Sequence, residues 1–408
     1  ATNGLPDLKI TNVKAIPSGN LVVVKVETSE PGLYGLGDAS FVQRPKATIT
    51  AIEKYLHDYC VGRSVNNIND MWQMAYTSSY WRNGPVLNSA LSGIDMALWD
   101  IKGKRANMPV YELLGGKMRF ALSTYAHSGG RSIEETVENV QRDMEAGFRY
   151  CRLQAGGYSG VAEIEPDFKK AGFGLERDNF MDHYAYLKGV PKLFEAVRLA
   201  AGDRVELCHD VHSRIQPIDA VNLCKQLEQY RPYYIEDPVS VQNVDYLKLI
   251  RQHSTAPILI GENFSNLHEW VRPMSGRNVD FVKHHIPKIG GITPAMKVAR
   301  LGEVFNVRTN WHGAGDNSPV GHAANCHVDL AIWNFGIQEM TYSSVMSDRI
   351  RSIFPGSPKI ENGYIHINEA PGLGVDIIEE EAAKYPLPEK NLNNWTQIRK
   401  SDGTPVRP

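Results

Sequence analysis

The chain has 408 residues, 42% hydrophobic and 22% charged, with a formal net charge of −2. It is long enough to bury a large core in more than one domain, and its near-neutral balance gives no reason to expect nucleic acid or an anionic membrane as partner. No apolar run approaches the ~20 residues of a membrane span. The opening ATNGLPDLKI lacks the basic and apolar regions of a signal peptide, and five scattered cysteines without a C-x-x-C pair fit reduced thiols; a cytoplasmic location is expected.

The first segment reads as strands broken at Pro17-Ser18-Gly19-Asn20 and Pro31-Gly32. The clearest is LVVVKVET (21–28), β-branched and bounded by turn residues. Helical periodicity runs from about Thr48 to Leu114; in SALSGIDMALWDIKGKRA (89–106) apolar residues recur at Ala90, Ile94, Ala97, Leu98 and Ile101. Residues 1–120 are therefore expected to form an α+β domain. Over 121–348, eight strand-like runs alternate with amphipathic helices: ALSTYAH, RYCRLQ, VELCHDVH, YYIEDPV, ILIGENF, DFVKHHI, VRTNWHG and FGIQEM. That rhythm suits a (β/α) barrel. A doubly wound sheet is the alternative, but no G-x-G-x-x-G follows any strand. Residues 349–408 turn Gly-, Pro- and Asn-rich and are expected to return to the amino-terminal domain.

Candidate chemistry sits at the strand ends. Period two places Glu206, Cys208, Asp210 and His212 on one face of VELCHDVH. Asp210, Glu236 and Glu262 recur every 26 residues, one strand–helix unit per step, and are expected at equivalent positions converging on one barrel end. Three such carboxylates need a cation, and an all-oxygen set is the choice of Mg²⁺. Zinc is disfavoured, because H-x-x-H on a strand sends its histidines to opposite faces. His212 is expected beside the metal, placed to exchange a proton near neutral pH. Arg152 and Gln154 share a face of the second strand, and Tyr158 follows six residues after Arg152. His312 and Asp316, in a Gly-rich loop, and Glu339, which closes the eighth strand, either hold substrate hydroxyls or form a local network. His127, ending the first strand, is a further candidate.

The helix ALSGIDMALWDIKGKRANMPVYELLGG, followed in order by D-x-H, I-E-D-P, G-E-N and H-G-A-G-D, resembles the enolase superfamily. More closely the sequence resembles its mannonate dehydratase branch, which includes proteins once labelled starvation-sensing. The resemblance covers most of the chain. It implies an α+β capping domain over a modified TIM barrel, (β/α)₇β; one Mg²⁺ on Asp210, Glu236 and Glu262; and a homo-oligomer acting on a small sugar acid. It also implies His212 as general acid on one face of the substrate, with Arg152 and a following tyrosine, here Tyr158, as the opposing base. The implied reaction abstracts the proton α to a carboxylate and eliminates water to give a 2-keto-3-deoxy acid, with D-mannonate and D-gluconate as leading substrates. An epimerase, a dehydratase of another aldonate or uronate, and a sugar-acid-binding regulatory protein of low activity are the alternatives. GLYGLGDASF (32–41) corresponds to the family's mobile closing loop, with Gly32, Gly35 and Gly37 as hinge residues and Asp38 as a contact for a substrate hydroxyl. Two departures stand out. The second strand reads Arg152-Leu153-Gln154 where the mandelate racemase branch has Lys-x-Lys, and FVKHHI lacks the aspartate that would pair with His312, which argues against racemase-type chemistry.

Overall fold

The computed structural model describes residues 4–161, 180–389, 397–400 and 402–406. The chain divides into two compact units: the first comprises 1–123, 262–271 and 283–391, the second 124–261, 272–282 and 392–408.

The first unit opens with β1 (Ile10–Ser18), β2 (Leu21–Thr28) and β3 (Tyr34–Asp38), an antiparallel meander. Ser18 pairs with Leu21 around Gly19, whose φ of +61° suits a tight turn. A long helix, α1 (Pro85–Ala106), lies on this sheet; proline starts it, and left-handed Asn107 (φ +51°) ends it. Val22, Val24 and Val26 of β2 meet Ile94, Ala97, Leu98 and Ile101 of α1 in one core.

The contact between α1 and β3 is unusually close. An ideal Cβ on Gly37 would lie 1.9 Å from the Gly93 carbonyl oxygen, one on Gly35 2.0 Å from that of Ala97, and one on Gly93 2.3 Å from Val24. Gly35 and Gly37 are thus strand residues that let a helix backbone approach, not hinge residues. Gly32 alone of the three has a positive φ (+81°) and open space around it. Fully buried Asp100 of α1 accepts from Leu36 N (2.9 Å) and Leu373 N (2.8 Å) and pairs with Lys104 (2.8 Å). One carboxylate therefore ties helix, β3 and carboxy-terminal segment together.

β4 (Leu122–Ser123) follows in this unit, and the chain then enters the second. There β5 (Ala126–Gly130), β6 (Tyr150–Ala155), β7 (Glu206–Asp210), β8 (Tyr234–Glu236), β9 (Ile258–Ile260) and β10 (Phe281–Val282) pair in parallel, in sequence order. The crossovers include α2 (Ile133–Glu145) and α3 (His183–Ala201), each started by a side-chain cap: Ser132 accepts from Glu135 N and Asp182 from Ala185 N. Back in the first unit are β11 (Arg308–Thr309), β12 (Lys359–Glu361) and β13 (Tyr364–His366).

Two expected strands differ. ALSTYAH splits, because β4 pairs with β13 and the parallel run begins only at Ala126. FGIQEM forms no named strand; Phe335 makes one parallel bridge to Thr309. The segment's backbone still bonds across, Gly336 N donating to Thr309 O (3.0 Å) and Gln338 N to Ser123 O (3.0 Å), and the Gln338 side chain adds a bond to the Trp311 carbonyl (3.0 Å). All five cysteines are free and buried.

Gly37→Ala is expected to lower the unfolding free energy by about 1–3 kcal/mol in urea titrations through overpacking. Gly32→Ala carries only its backbone strain, about 1 kcal/mol. Equal losses in the two variants would contradict the packing role of Gly37.

Candidate active site

In the second unit, β7 ends at Asp210 and β8 at Glu236, and the two face each other directly in the parallel register. Both carboxylates are buried, at 2% and 0% exposure. Arg152 is opposite Cys208, two residues earlier, so its long side chain reaches forward. Its Nη1 donates to Asp210 Oδ2 and to the Tyr158 hydroxyl, each at 3.2 Å. Tyr158 rides on a single 3₁₀ turn, Gly157–Ser159, entered through left-handed Gly156 and held by Gln154 Nε2 on the Gly157 carbonyl (3.2 Å).

Past Asp210 the chain leaves extended geometry. His212 and Ser213 have φ of +56° and +59°, and Asp237 after β8 has +39°. Positive φ in non-glycine residues costs of order 1–3 kcal/mol each and persists only where the surroundings enforce it. Here they do: His212 N donates to Asp210 Oδ1 (2.8 Å), Val211 N to Glu236 O (3.0 Å) and Ser213 N to Asp237 O (2.9 Å). The turn places the His212 ring 4.4 Å from that of Tyr158. Period two thus stops at Asp210, and Tyr158 and His212 lie side by side rather than on opposing sides. Arg214, not foreseen from the sequence, is 4% exposed with its guanidinium 4.9 Å from the Tyr158 ring. Its signal was present only as the second residue after His212, and the turn scrambles that spacing. His209 points the other way, to Tyr186 and Phe194 of α3. His127 is opposite Arg152 in the register, its ring 5.3 Å from Tyr125.

The first unit gathers a second charged group. Leu259, not Glu262, is opposite Glu236, and Glu262 follows β9 by two residues. Equal spacing in sequence is therefore not equal register, as expected where strands are staggered. Glu262 Oε2 lies 3.2 Å from His312 Nδ1 and 3.8 Å from Lys283 Nζ. Lys283, 1% exposed, also donates to Glu339 (3.0 Å). His312 Nε2 meets Asp316 at 2.6 Å, and Asp316 holds His285 through its other oxygen (2.9 Å). His312 thus has a carboxylate partner four residues on, supplied by its own loop rather than by the sixth strand. The inference against racemase-type chemistry drawn from FVKHHI therefore loses its basis.

Burial opposes charge on His312, but Asp316, Glu262 and Glu339 outweigh it and hold the imidazole well above its ordinary range. Burial likewise works against an ionised Asp316, and His312 and His285 hold it well below the usual range. His285 is pushed down to about 3 by burial and by Lys288, so it is the neutral partner. Asp38 lies apart from this group: fully buried, it accepts from Ser40 N and Ser318 N, both 2.8 Å, and burial pushes it up to about 6. The long segment from about Gly156 to Gly189 is a candidate lid or contact surface, but its residues 162–179 lie outside the described ones.

Residues 8–115 match the mandelate racemase/muconate lactonizing enzyme N-terminal domain, and 135–382 the enolase C-terminal domain-like family. A D-galactonate dehydratase family member from Salmonella virchow is 48% identical, with 99% of this chain and 100% of the relative covered. Another from Enterococcus gallinarum is 42% identical over 99% and 98%. A crystal structure of an enolase from Pantoea ananatis with bound D-gluconate and magnesium superposes with a TM-score of 0.93 at 46% identity, covering 98% of this chain and 100% of that one.

The raised His312 contributes stability that is complete below its unfolded value near 6.5 and is lost as pH rises through its folded value. The depressed Asp316 contributes stability that is complete above about 4 and is lost as pH falls through its folded value. Without added Mg²⁺, the stability advantage of the wild type over His312→Gln should accordingly be larger at pH 6 than at pH 9 in urea unfolding. An advantage that grows toward pH 9 would refute the charged assignment.

Proposed function

Since the chain belongs to the enolase superfamily, whose members use Mg²⁺, and to a sugar-acid dehydratase branch of it, we propose that it dehydrates D-gluconate to the 2-keto-3-deoxy acid, with Tyr158 as base. The fold class is that family's, a TIM-barrel-like α/β domain with an amino-terminal capping domain. The relatives bear the name of galactonate rather than mannonate dehydratases, and the solved relative holds D-gluconate; gluconate therefore comes first here. D-mannonate, its C2 epimer, leads to the same product.

The donor chemistry fits the metal: Asp210 and Glu236 offer buried carboxylate oxygens from adjoining strand ends, with Glu262 as the third ligand, and oxygen-only sets suit Mg²⁺. When bound, the ion supplies a Lewis acid for negative charge developing on the substrate carboxylate. The rest belongs to the protein. Arg152 and Arg214 stand beside the Tyr158 phenol, and two neighbouring cations stabilise its phenolate, the form able to accept the C2 proton. Arginine itself keeps its proton and serves only as this support. His212, its ring against Tyr158, delivers a proton to the departing C3 hydroxyl. The enol that remains tautomerises to the ketone, so one water leaves. Because base and acid are neighbours, both act from one side of the substrate, a syn elimination. His312, Asp316, Glu339 and His127 are proposed for holding the sugar chain; Asp38, fully buried with its oxygens taken by Ser40 N and Ser318 N, is not.

The observation that carries this reading is the Tyr158 phenol set between two guanidinium groups and the His212 ring. Incubation with Mg²⁺ and D-gluconate, D-mannonate or D-galactonate should yield a 2-keto-3-deoxy acid, gluconate being fastest. Tyr158→Phe and His212→Asn should each lower kcat by about 10²-fold or more. Glu236→Gln should abolish Mg²⁺ dependence together with turnover. Tight binding of a sugar acid without dehydration would overturn the reading, and C2 hydrogen exchange without dehydration would turn it toward epimerisation.

A further inference from the structure

Tyr186 of α3 and His209 of β7 are both buried, at 2% and 1% exposure, and neither belongs to the reacting groups. The Tyr186 hydroxyl is 2.8 Å from His209 Nε2, and His209 Nδ1 is 2.9 Å from the Leu153 carbonyl. A carbonyl only accepts, so Nδ1 carries the proton, Nε2 is the lone-pair nitrogen, and the tyrosine donates to it. The chain of bonds ends on residues adjacent in sequence to the chemistry: His209 precedes Asp210, and Leu153 lies between Arg152 and Gln154.

The same tyrosine touches the Tyr158 turn. Gly160 closes that turn by donating its N–H to Gly157 O (3.2 Å), and an ideal Cβ on Gly160 would stand 2.9 Å from Tyr186 Cδ2 and 3.3 Å from its Cβ. Between this loop and α3 lies a cavity of about 30 Å³, bordered by Gly157, Gly160, Tyr186, Gly189 and His209. It is small, on the order of one water. The aromatic ring is thus the floor on which the turn rests.

We propose that Tyr186 is a positioning residue for the reaction: through His209 it fixes the strands bearing Arg152 and Asp210, and through Gly160 it sets the height of the Tyr158 turn. The proposal rests on Tyr158 being the base. A displacement near 1 Å at a reacting group can cost about 10²-fold, so the expected signature is a loss in kcat rather than in substrate binding.

Tyr186→Phe and Gly160→Ala should each lower kcat about tenfold or more while KM for D-gluconate stays within about twofold. The acidic limb of the kcat–pH profile should move as well, because the phenol's distances to its guanidinium partners change. Gly189→Ala is the control: it borders the same cavity but has no heavy atom within 4 Å of its added Cβ, and its kcat and profile should match the wild type. Gly160→Ala also carries the strain of an alanine at φ +74°. Gly157→Ala (φ +63°, with nothing within 4 Å of its added Cβ) is therefore the strain control, and only a larger kcat loss in Gly160→Ala counts for the Tyr186 contact. Gly160 lies outside the buried pair, so the test survives if Tyr186→Phe folds poorly. If Tyr158→Phe is inactive while both variants keep wild-type kcat and pH profile, the positioning inference falls alone. If Tyr158→Phe remains active, the base assignment falls and takes the inference with it.

Discussion

Arg152 is the cation on which the second unit's site is organised. One guanidinium nitrogen contacts both the Asp210 carboxylate and the Tyr158 hydroxyl. Asp210 gives its other oxygen to His212 N, so a single carboxylate joins the second strand of the parallel run to the turn that ends the third. Hydrogen bonds to a charged group are roughly twice as strong as neutral ones. Two of them converging on Asp210 are of the magnitude needed to offset the strain of the left-handed residues that follow. Without Arg152, the phenol, the carboxylate and the turn would have no common anchor.

What could be read in the sequence was whatever depends on local periodicity. The parallel strands from RYCRLQ to DFVKHHI announce themselves by short segments of apolar residues that end in polar ones, and the burial of Leu153, Leu207 and Ile235 follows from that pattern. Asp210 and Glu236 came out opposite each other because both end their strands. Glu262 did not, since β9 pairs so that Leu259 already stands opposite Glu236, a stagger that counting along the sequence cannot see. The placement of His212 beside Tyr158 escaped for a similar reason. Alternation holds only while the backbone is extended, and at His212 it is not. Arg214 was hidden by the same turn.

Tertiary rather than local causes explain the other differences. The glycines in GLYGLGDASF look like flexibility when read singly; their neighbours on the long helix show them to be a packing seam. The partner of His312 was sought one strand away, whereas the loop folds back and offers Asp316 from the same turn. Three carboxylates around two cations, His312 and Lys283, make this cluster an ionic network with little exposure to water. In such surroundings each member's charge is set by the others, and no residue's state can be assigned from its own type.

The five thiols have a practical consequence. Cys60, Cys151, Cys208, Cys224 and Cys326 are all shielded, and burial pushes every one upward, Cys60, Cys151 and Cys224 to about 12. The thiolate is the reactive form, so the native molecule presents alkylating reagents with almost no nucleophilic sulfur. A cysteine introduced on the exposed rim of the turn bearing Tyr158 would be the one site a spin label or fluorophore could take, and loop movement during turnover could be followed without first removing any natural residue.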